Sequence, residues 1–234
     1  IDLKNGYWNV PVGKGREITA FEINGNKYQW TVCPQGISTG PSIFNRYMRK
    51  ILKGLPVFNY FDDILIAEDT REECEKMVKK VLARLAKYNL KTNPLKSSDV
   101  AEEVIMCGYK ISNKGIEIPQ EAQSHLIQKE EPHSQKDLKK YLGKISHYRK
   151  HFTQIAIFTK PLWKLITPYN PHQKIEWISE RKQEWKRLQS KLAIPCILSL
   201  NYDINNCELY SDASETTVGG VLRLKGKKDI VDSW

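Results

Sequence analysis

Leu55-Pro56-Val57-Phe58-Asn59-Tyr60-Phe61-Asp62-Asp63-Ile64-Leu65-Ile66-Ala67 decides how this chain is read. Two adjacent carboxylates stand between short apolar runs rich in strand formers, the pattern of a tight β-hairpin with the acids at its tip. Successive strand residues face opposite ways, so only a turn lets both acids serve one site. Like charges held that close repel, and a bound cation relieves the repulsion. A hard ion suits carboxylate oxygens, and Mg²⁺ binds through one or two carboxylates plus substrate phosphates. The plainer reading is an exposed acidic turn, which residues 60–63 taken alone favour by about two to one.

A third carboxylate shifts that balance. Asp2 opens Asp2-Leu3-Lys4-Asn5-Gly6-Tyr7, and Cys33-Pro34-Gln35-Gly36 lies between it and the acid pair. In this order and near these spacings, the motifs resemble the palm of a reverse transcriptase. The likeness is nearest to the group of gypsy-type LTR retroelements, foamy viruses and plant pararetroviruses. Each motif is weak alone; the combination is specific and runs along essentially the whole chain. It implies an α+β fold with a right-hand polymerase palm, an antiparallel sheet with helices, over 1–118. A helical, basic thumb and connection would follow over 119–195, then the truncated start of a ribonuclease H-like domain over 196–234. The fingers that precede the palm in the family are missing, which points to an internal piece of a longer Pol polyprotein.

The resemblance implies an RNA-directed DNA polymerase, a nucleotidyltransferase adding deoxynucleoside triphosphates to a DNA primer on an RNA or DNA template. Asp2, Asp62 and Asp63, with Leu3 beside them, would hold two Mg²⁺ ions, Mn²⁺ being the substitute, for an in-line phosphoryl transfer. Asn5 and Gly6 would offer backbone N–H groups to the triphosphate. Tyr7 would be the flat ring under the sugar that excludes a 2′-hydroxyl; without the resemblance it reads as ordinary core. Gln35 would position template and nucleotide, although Cys33 stands where the family usually has Leu. Tyr60 and Phe61 complete the substrate-binding set. Leu90 to Lys96 resembles the fourth palm motif, making Lys96 the general acid for the pyrophosphate leaving group and Lys91 its rival. Cys107-Gly108-Tyr109 resembles the hairpin that grips the primer end. Asp212 resembles the first metal ligand of ribonuclease H, and one carboxylate cannot hold two metals.

Composition agrees with this class. At 40% hydrophobic and 10% aromatic, 234 residues make one large domain or two small ones. No apolar run approaches about 18 residues, so no membrane span is expected. Five scattered cysteines (33, 74, 107, 196, 207) favour reduced thiols in an intracellular setting, a cytoplasmic particle or virion. Net charge is +10, and residues 125–195 carry 15 Lys+Arg against 6 Asp+Glu, a local +9 that suits a polyanion, or more plainly a solvated helical surface.

Local patterns add elements. Asn24-Gly25-Asn26 signals a hairpin of 17–23 with 27–32. A helix is expected over 42–52. A capping box at Thr70 opens another to about residue 88, with Met77, Val78, Val81, Leu82 and Leu85 as its buried stripe. Ser134 caps a helix with Leu138, Tyr141, Leu142, Ile145 and Tyr148 on one face and Lys139, Lys140, Lys144, Arg149 and Lys150 elsewhere. His147 and His151 read as a solvated or phosphate-contacting pair rather than metal ligands, since no third ligand is near. Helices follow over 154–166 and 179–192, with Trp163, Trp177 and Trp185 as packing anchors.

Three rival functions stay open at this level. A decayed element could only bind nucleic acid, but intact Asp2, Asp62, Asp63, Gln35 and Tyr7 argue against decay. RNA-templated RNA synthesis is opposed by the aromatic at position 7. A non-catalytic subunit of a dimeric polymerase is the third, and a metal titration separates it from the enzyme.

Overall fold

The computed structural model describes residues 1–128, 130–200, 202–215, 217–226 and 230–233. Helix and sheet are mixed, and the chain divides into two compact units, residues 1–101 and 102–234, each with its own core. Boundaries at 118 and 195 both fall inside the second unit.

In the first unit, β1 (Phe21–Ile23) pairs with β2 (Asn26–Tyr28) around Asn24 and Gly25. Both turn residues have positive φ (51° and 77°), as a two-residue hairpin loop of the primed type requires. The ladder is shorter than the pattern predicts. Arg16–Thr19 winds into a 3₁₀ turn, and Thr19 Oγ1 accepts the Trp30 N–H at 3.0 Å, which takes that residue out of the pairing.

α1 (Gly40–Ile51) starts at Gly40-Pro41, where proline is tolerated because its missing N–H would be unpaired anyway. It buries Phe44, Met48 and Ile51 at helical spacing. β3 (Phe58–Tyr60) and β4 (Asp63–Leu65) form the acidic hairpin, with Leu55-Pro56 outside it. α2 (Arg71–Lys87) is capped as expected: Thr70 Oγ1 accepts from Glu73 N and donates to Glu73 Oε2. Its buried stripe is narrower than predicted. Val81 and Leu85 are fully buried, Met77 packs at the margin, and Leu82, a quarter-turn round, is exposed.

In the second unit, β5 (Glu103–Met106), β6 (Tyr109–Ser112) and β7 (Gly115–Glu117) form an antiparallel meander. Four helices follow: α3 (Gln120–Leu126), α4 (Gln135–His147), α5 (Ile155–Lys164) and α6 (Ser179–Leu192). Ser134 caps α4 by accepting from Asp137 N at 3.2 Å. The core gathers Leu126, Leu138, Leu142, Ile145, Trp185 and Leu188. Tyr141 crosses it, donating to Leu126 O at 2.6 Å and accepting from Gln189 Nε2 at 2.7 Å; burial pushes its phenol up to about 12. Of the three tryptophans, Trp185 is buried and Trp177 packs on the core while donating to Pro132 O; Trp163 is exposed and anchors nothing central.

β8 (Cys207–Ser214), β9 (Thr217–Leu224) and β10 (Ile230–Ser233) make a second antiparallel set. Leu198 joins the two sets, bridging Ile116 antiparallel and Ile230 parallel. A Cβ on Gly115 would lie 2.2 Å from Leu198 O, so only glycine lets the backbones meet here. All five cysteines are thiols. No helix among the described residues is long and apolar enough to cross a membrane.

Leu142 is completely buried and has no room to collapse around, so Leu142→Ala should cost about 2–5 kcal/mol. Urea unfolding monitored through Trp185 checks it; a loss under about 1 kcal/mol would mean that the helical core is not packed this way.

Candidate active site

Residues 1–4 run extended between two neighbours. On one side Leu3 N donates to Asp62 O at 3.1 Å and Ile64 N to Ile1 O at 2.9 Å. These two bonds frame Asp2 and Asp63 as an antiparallel pair of the non-hydrogen-bonded kind. In such a pair the side chains emerge on the same face at the closest cross-strand spacing. On the other side Lys4 N donates to Lys91 O at 2.8 Å and Asn93 N to Asp2 O at 2.9 Å. Ser97 Oγ accepts from Asp2 N at 3.1 Å and donates to Asn93 O at 2.8 Å. Asp2 bonds through its own N–H and C=O to the Asn93–Ser97 side, while its neighbours Ile1 and Leu3 bond to the hairpin, so the segment is held from both edges.

The hairpin differs from the expectation that both acids sit at its tip. Tyr60 pairs with Asp63, so the loop is Phe61-Asp62, with Phe61 in the left-handed region (φ 52°). Asp62 is exposed in the loop, whereas Asp63 is the first residue of β4 and half-buried. The alternation of strand side chains thus matches Asp63 with Asp2 rather than with its sequence neighbour. Burial, then the charges of Asp62 and Asp2, push the Asp63 carboxyl above the usual carboxylate range, and the Ile1 ammonium, then the exposed Lys96, draw it partly back. Asn59 stabilises the turn: its Nδ2 donates to Phe61 O at 2.8 Å, and its Oδ1 is buried without a partner.

The 3₁₀ turn Gly6–Asn9 closes over the loop. A Cβ on Gly6 would meet Phe44 Cζ at 3.0 Å and Asp62 Cβ at 3.4 Å, so glycine permits the approach. Asn5 adopts φ 56°, and Asn9 Nδ2 donates to the carbonyls of Lys4 and Asn5, both at 3.0 Å. Tyr7 is half-buried with its ring 5.2 Å from that of Phe44. One side of the ring packs on α1, so the core reading and the sugar-facing reading are compatible. Gln35 is exposed just after buried Cys33 and Pro34, and Lys91 is exposed beside the site strand. Tyr60 is exposed, its ring edge-on to Phe61 at 4.8 Å.

The first unit thus gathers Asp2, Leu3, Asn5, Gly6, Tyr7, Asp62 and Asp63. The donor set for a hard cation is all oxygen: three carboxylates and the Leu3 carbonyl, since the Leu3 side chain is buried in the core. Among the described residues, no three His, Cys, Asp or Glu side chains form a ready-made metal cage. The all-oxygen chemistry of the set suits a hard cation.

In the second unit, Cys107 and Gly108 (φ 52° and 81°) form the β5–β6 turn that leads into Tyr109. Asp212 is exposed in the β8–β9 ladder opposite Gly219. His151 overturns the solvated-pair expectation: it is buried in a 3₁₀ turn, bonded through Nδ1 to Cys196 O at 2.9 Å, and burial lowers its pKa. Sequence reasoning missed Asn59 and Ser97. An asparagine inside an apolar strand pattern was the available signal for the first; Ser97 carries none, because its partner lies 95 residues away.

Residues 1–111 match the family described as Reverse transcriptase (RNA-dependent DNA polymerase). The chain is 32% identical over 98% of its length to the Transposon Tf2-3 and Tf2-7 polyproteins of Schizosaccharomyces pombe, spanning 17% of each. It is similar over its whole length to the foamy viral protease-reverse transcriptase in complex with RNA/DNA hybrid (TM-score 0.87, 28% identity, 32% of that chain). The same viral protein in complex with dsDNA matches with TM-score 0.84 and 27% identity over 49% of that chain.

The folded chain binds the Asp63 proton more tightly than the unfolded chain, so Asp63 costs stability as pH rises through the ordinary carboxylate range, from about pH 4. In metal-free buffer, Asp63→Asn should raise the urea midpoint at pH 7, with the gain vanishing by about pH 3. A gain constant across that range would detach it from the carboxylate charge.

Proposed function

The chain belongs to the reverse transcriptase family through residues 1–111, and on that premise we propose that it is part of an RNA-directed DNA polymerase. The observation that carries the reading is the pairing of Asp2 with Asp63, which gives two distant carboxylates one face with Asp62 in the adjoining turn. The reaction is transfer of a deoxynucleotidyl group from a triphosphate to a primer 3′-hydroxyl, with pyrophosphate leaving. The foamy viral relative engages RNA/DNA hybrid and dsDNA, which supports a template–primer duplex as partner here. Division into palm (1–118), thumb and connection (119–195) and a ribonuclease H-like start (196–234) is part of the same proposal.

Asp2, Asp62, Asp63 and the Leu3 carbonyl would hold divalent cations, Mg²⁺ in preference to Mn²⁺, which when bound supply Lewis-acid stabilisation of the attacking and leaving oxygens. The residues themselves do the positioning. The Asn5–Gly6 backbone lies against Asp62, where its N–H groups can meet the triphosphate. Tyr7, fixed on one side by Phe44, offers its other side to the sugar. Gln35 and Tyr60 are exposed and available to template and nucleotide, and Phe61 supports Tyr60 edge-on. Lys96, next to Ser97 and felt by Asp63, is the proton donor to pyrophosphate. Cys107, Gly108 and Tyr109 hold the primer end. Exposed Lys139, Lys140, Lys144 and Arg149 meet duplex phosphates. Asp212 is one ligand of a ribonuclease H-like site.

In the parent polymerase that contains this chain, Asp62→Asn should reduce Mg²⁺-dependent primer extension by at least about 10³-fold while duplex binding stays within about threefold. Extension persisting at a tenth of the parent rate would remove Asp62 from the metal set. Tyr7→Ala should raise ribonucleotide over deoxynucleotide incorporation by about tenfold or more. An unchanged ratio with activity retained would return Tyr7 to core packing alone.

A further inference from the structure

We propose that Tyr148 and His147, at the C-terminal end of α4, are positioning residues for the primer 3′ end: they clasp the Cys107–Tyr109 turn from the helix side. The proposal rests on the reading of that turn as the primer holder.

The clasp is reciprocal. Tyr109 Oη donates to His147 O at 2.6 Å, satisfying one of the carbonyls that a helix end leaves without an intrahelical partner. In return, Tyr148 Oη donates to Gly108 O at 3.1 Å. Burial pushes both phenols above their ordinary pKa, so each hydroxyl keeps its proton to donate. Stacked rings fill the space between. Tyr109 lies flat on His147 (4.9 Å between centroids, 29°) and on His151 (5.6 Å, 25°), and Tyr148 meets it edge-on at 5.4 Å. His151 is a fixed backing plate, because it is buried and tied to Cys196.

The turn needs such a hold. Cys107 is a non-glycine residue at φ 52°, a conformation that persists only where surroundings impose it. Gly108 is closed in as well: a Cβ there would sit 3.3 Å from Tyr148 Oη and 3.5 Å from His147 Nε2. Both hydroxyl bonds lie at the exposed margin of the unit, while the Tyr148 ring packs on the edge of the core and stays in place when only its hydroxyl is removed. Removing a hydroxyl should therefore loosen the turn and leave the fold alone. A primer end resting on that turn would then be held less tightly, with the chemistry of the next addition unchanged once it is in place.

The test uses Tyr148→Phe, which removes the hydroxyl bond to Gly108 O, His147→Ala, which removes the ring stacked on Tyr109, and the double variant, in the parent polymerase. Each single variant should raise KM for primer–template by about three- to tenfold. KM for the nucleotide, kcat at saturating primer and the thermal midpoint should stay at parent values. The double variant should lose less than the product of the singles, since the Tyr148 bond and the His147 stack hold the same turn. Unchanged primer KM, or a thermal midpoint that falls in step with it, overturns the proposal. The underlying reading is checked separately by disulfide crosslinking of the exposed Cys107 thiol to a primer with a thiol tether near its 3′ end. Failure to crosslink removes the turn from the primer and the proposal with it. Crosslinking with unchanged primer KM in the variants leaves the turn at the primer and refutes only the clasp.

Discussion

The site depends on the register of three residues. Strand side chains alternate, so residues 1–3 can place Asp2 on the face it shares with Asp63 only if Leu3 points into the core, where it is 3% exposed. A slip of one position would bury the carboxylate and expose the leucine. Hydrophobic burial of Leu3 thus fixes where a charge 61 positions from its partner must stand. The hydrogen bonds to Asp62, Ile64, Asn93 and Ser97 hold that register from both sides.

That arrangement sets one force against another. Opposite carboxylates in a non-hydrogen-bonded pair destabilise the ladder they sit in. Burial first, and the charges of Asp62 and Asp2 after it, raise the Asp63 carboxyl, and the Ile1 ammonium and then Lys96 offset part of the rise. The remainder of the unit compensates through ordinary packing of Phe44, Met48, Val81 and Leu85 beneath the hairpin. The second unit is built on a core of leucines around Trp185, as in a small helical bundle.

How much of this the sequence discloses depends on the range of the interaction. Caps at Thr70 and Ser134, the Asn24-Gly25 turn and the apolar faces of α1 and α4 are local, and each stands in the structure near where it was expected. Asp2, Asp62 and Asp63 were legible as a set because the motifs recur together in one family. Their geometry was not: adjacency in sequence suggested that Asp62 and Asp63 act from one turn, whereas pairing across the strands matches Asp63 with Asp2. Asn59, Ser97 and His151 act through partners whose identity depends on tertiary folding. Leu82 and Trp163 failed in the other direction, since periodicity assigns a face but not how wide a neighbour covers it.

Leu198 gives the second unit an unusual seam. A single residue stitches β7 to β10, so neither strand presents a free border to solvent at that point. Cutting the backbone near there, by a protease or in choosing where to end a shortened chain, would unpick both sheets together. The bared N–H and C=O row along β7 would be a ready template for another molecule's strand, and Gly115, bare of any side chain, could not fend it off. The join that looks like a linker between two sheets is what keeps each of them from seeking a foreign partner.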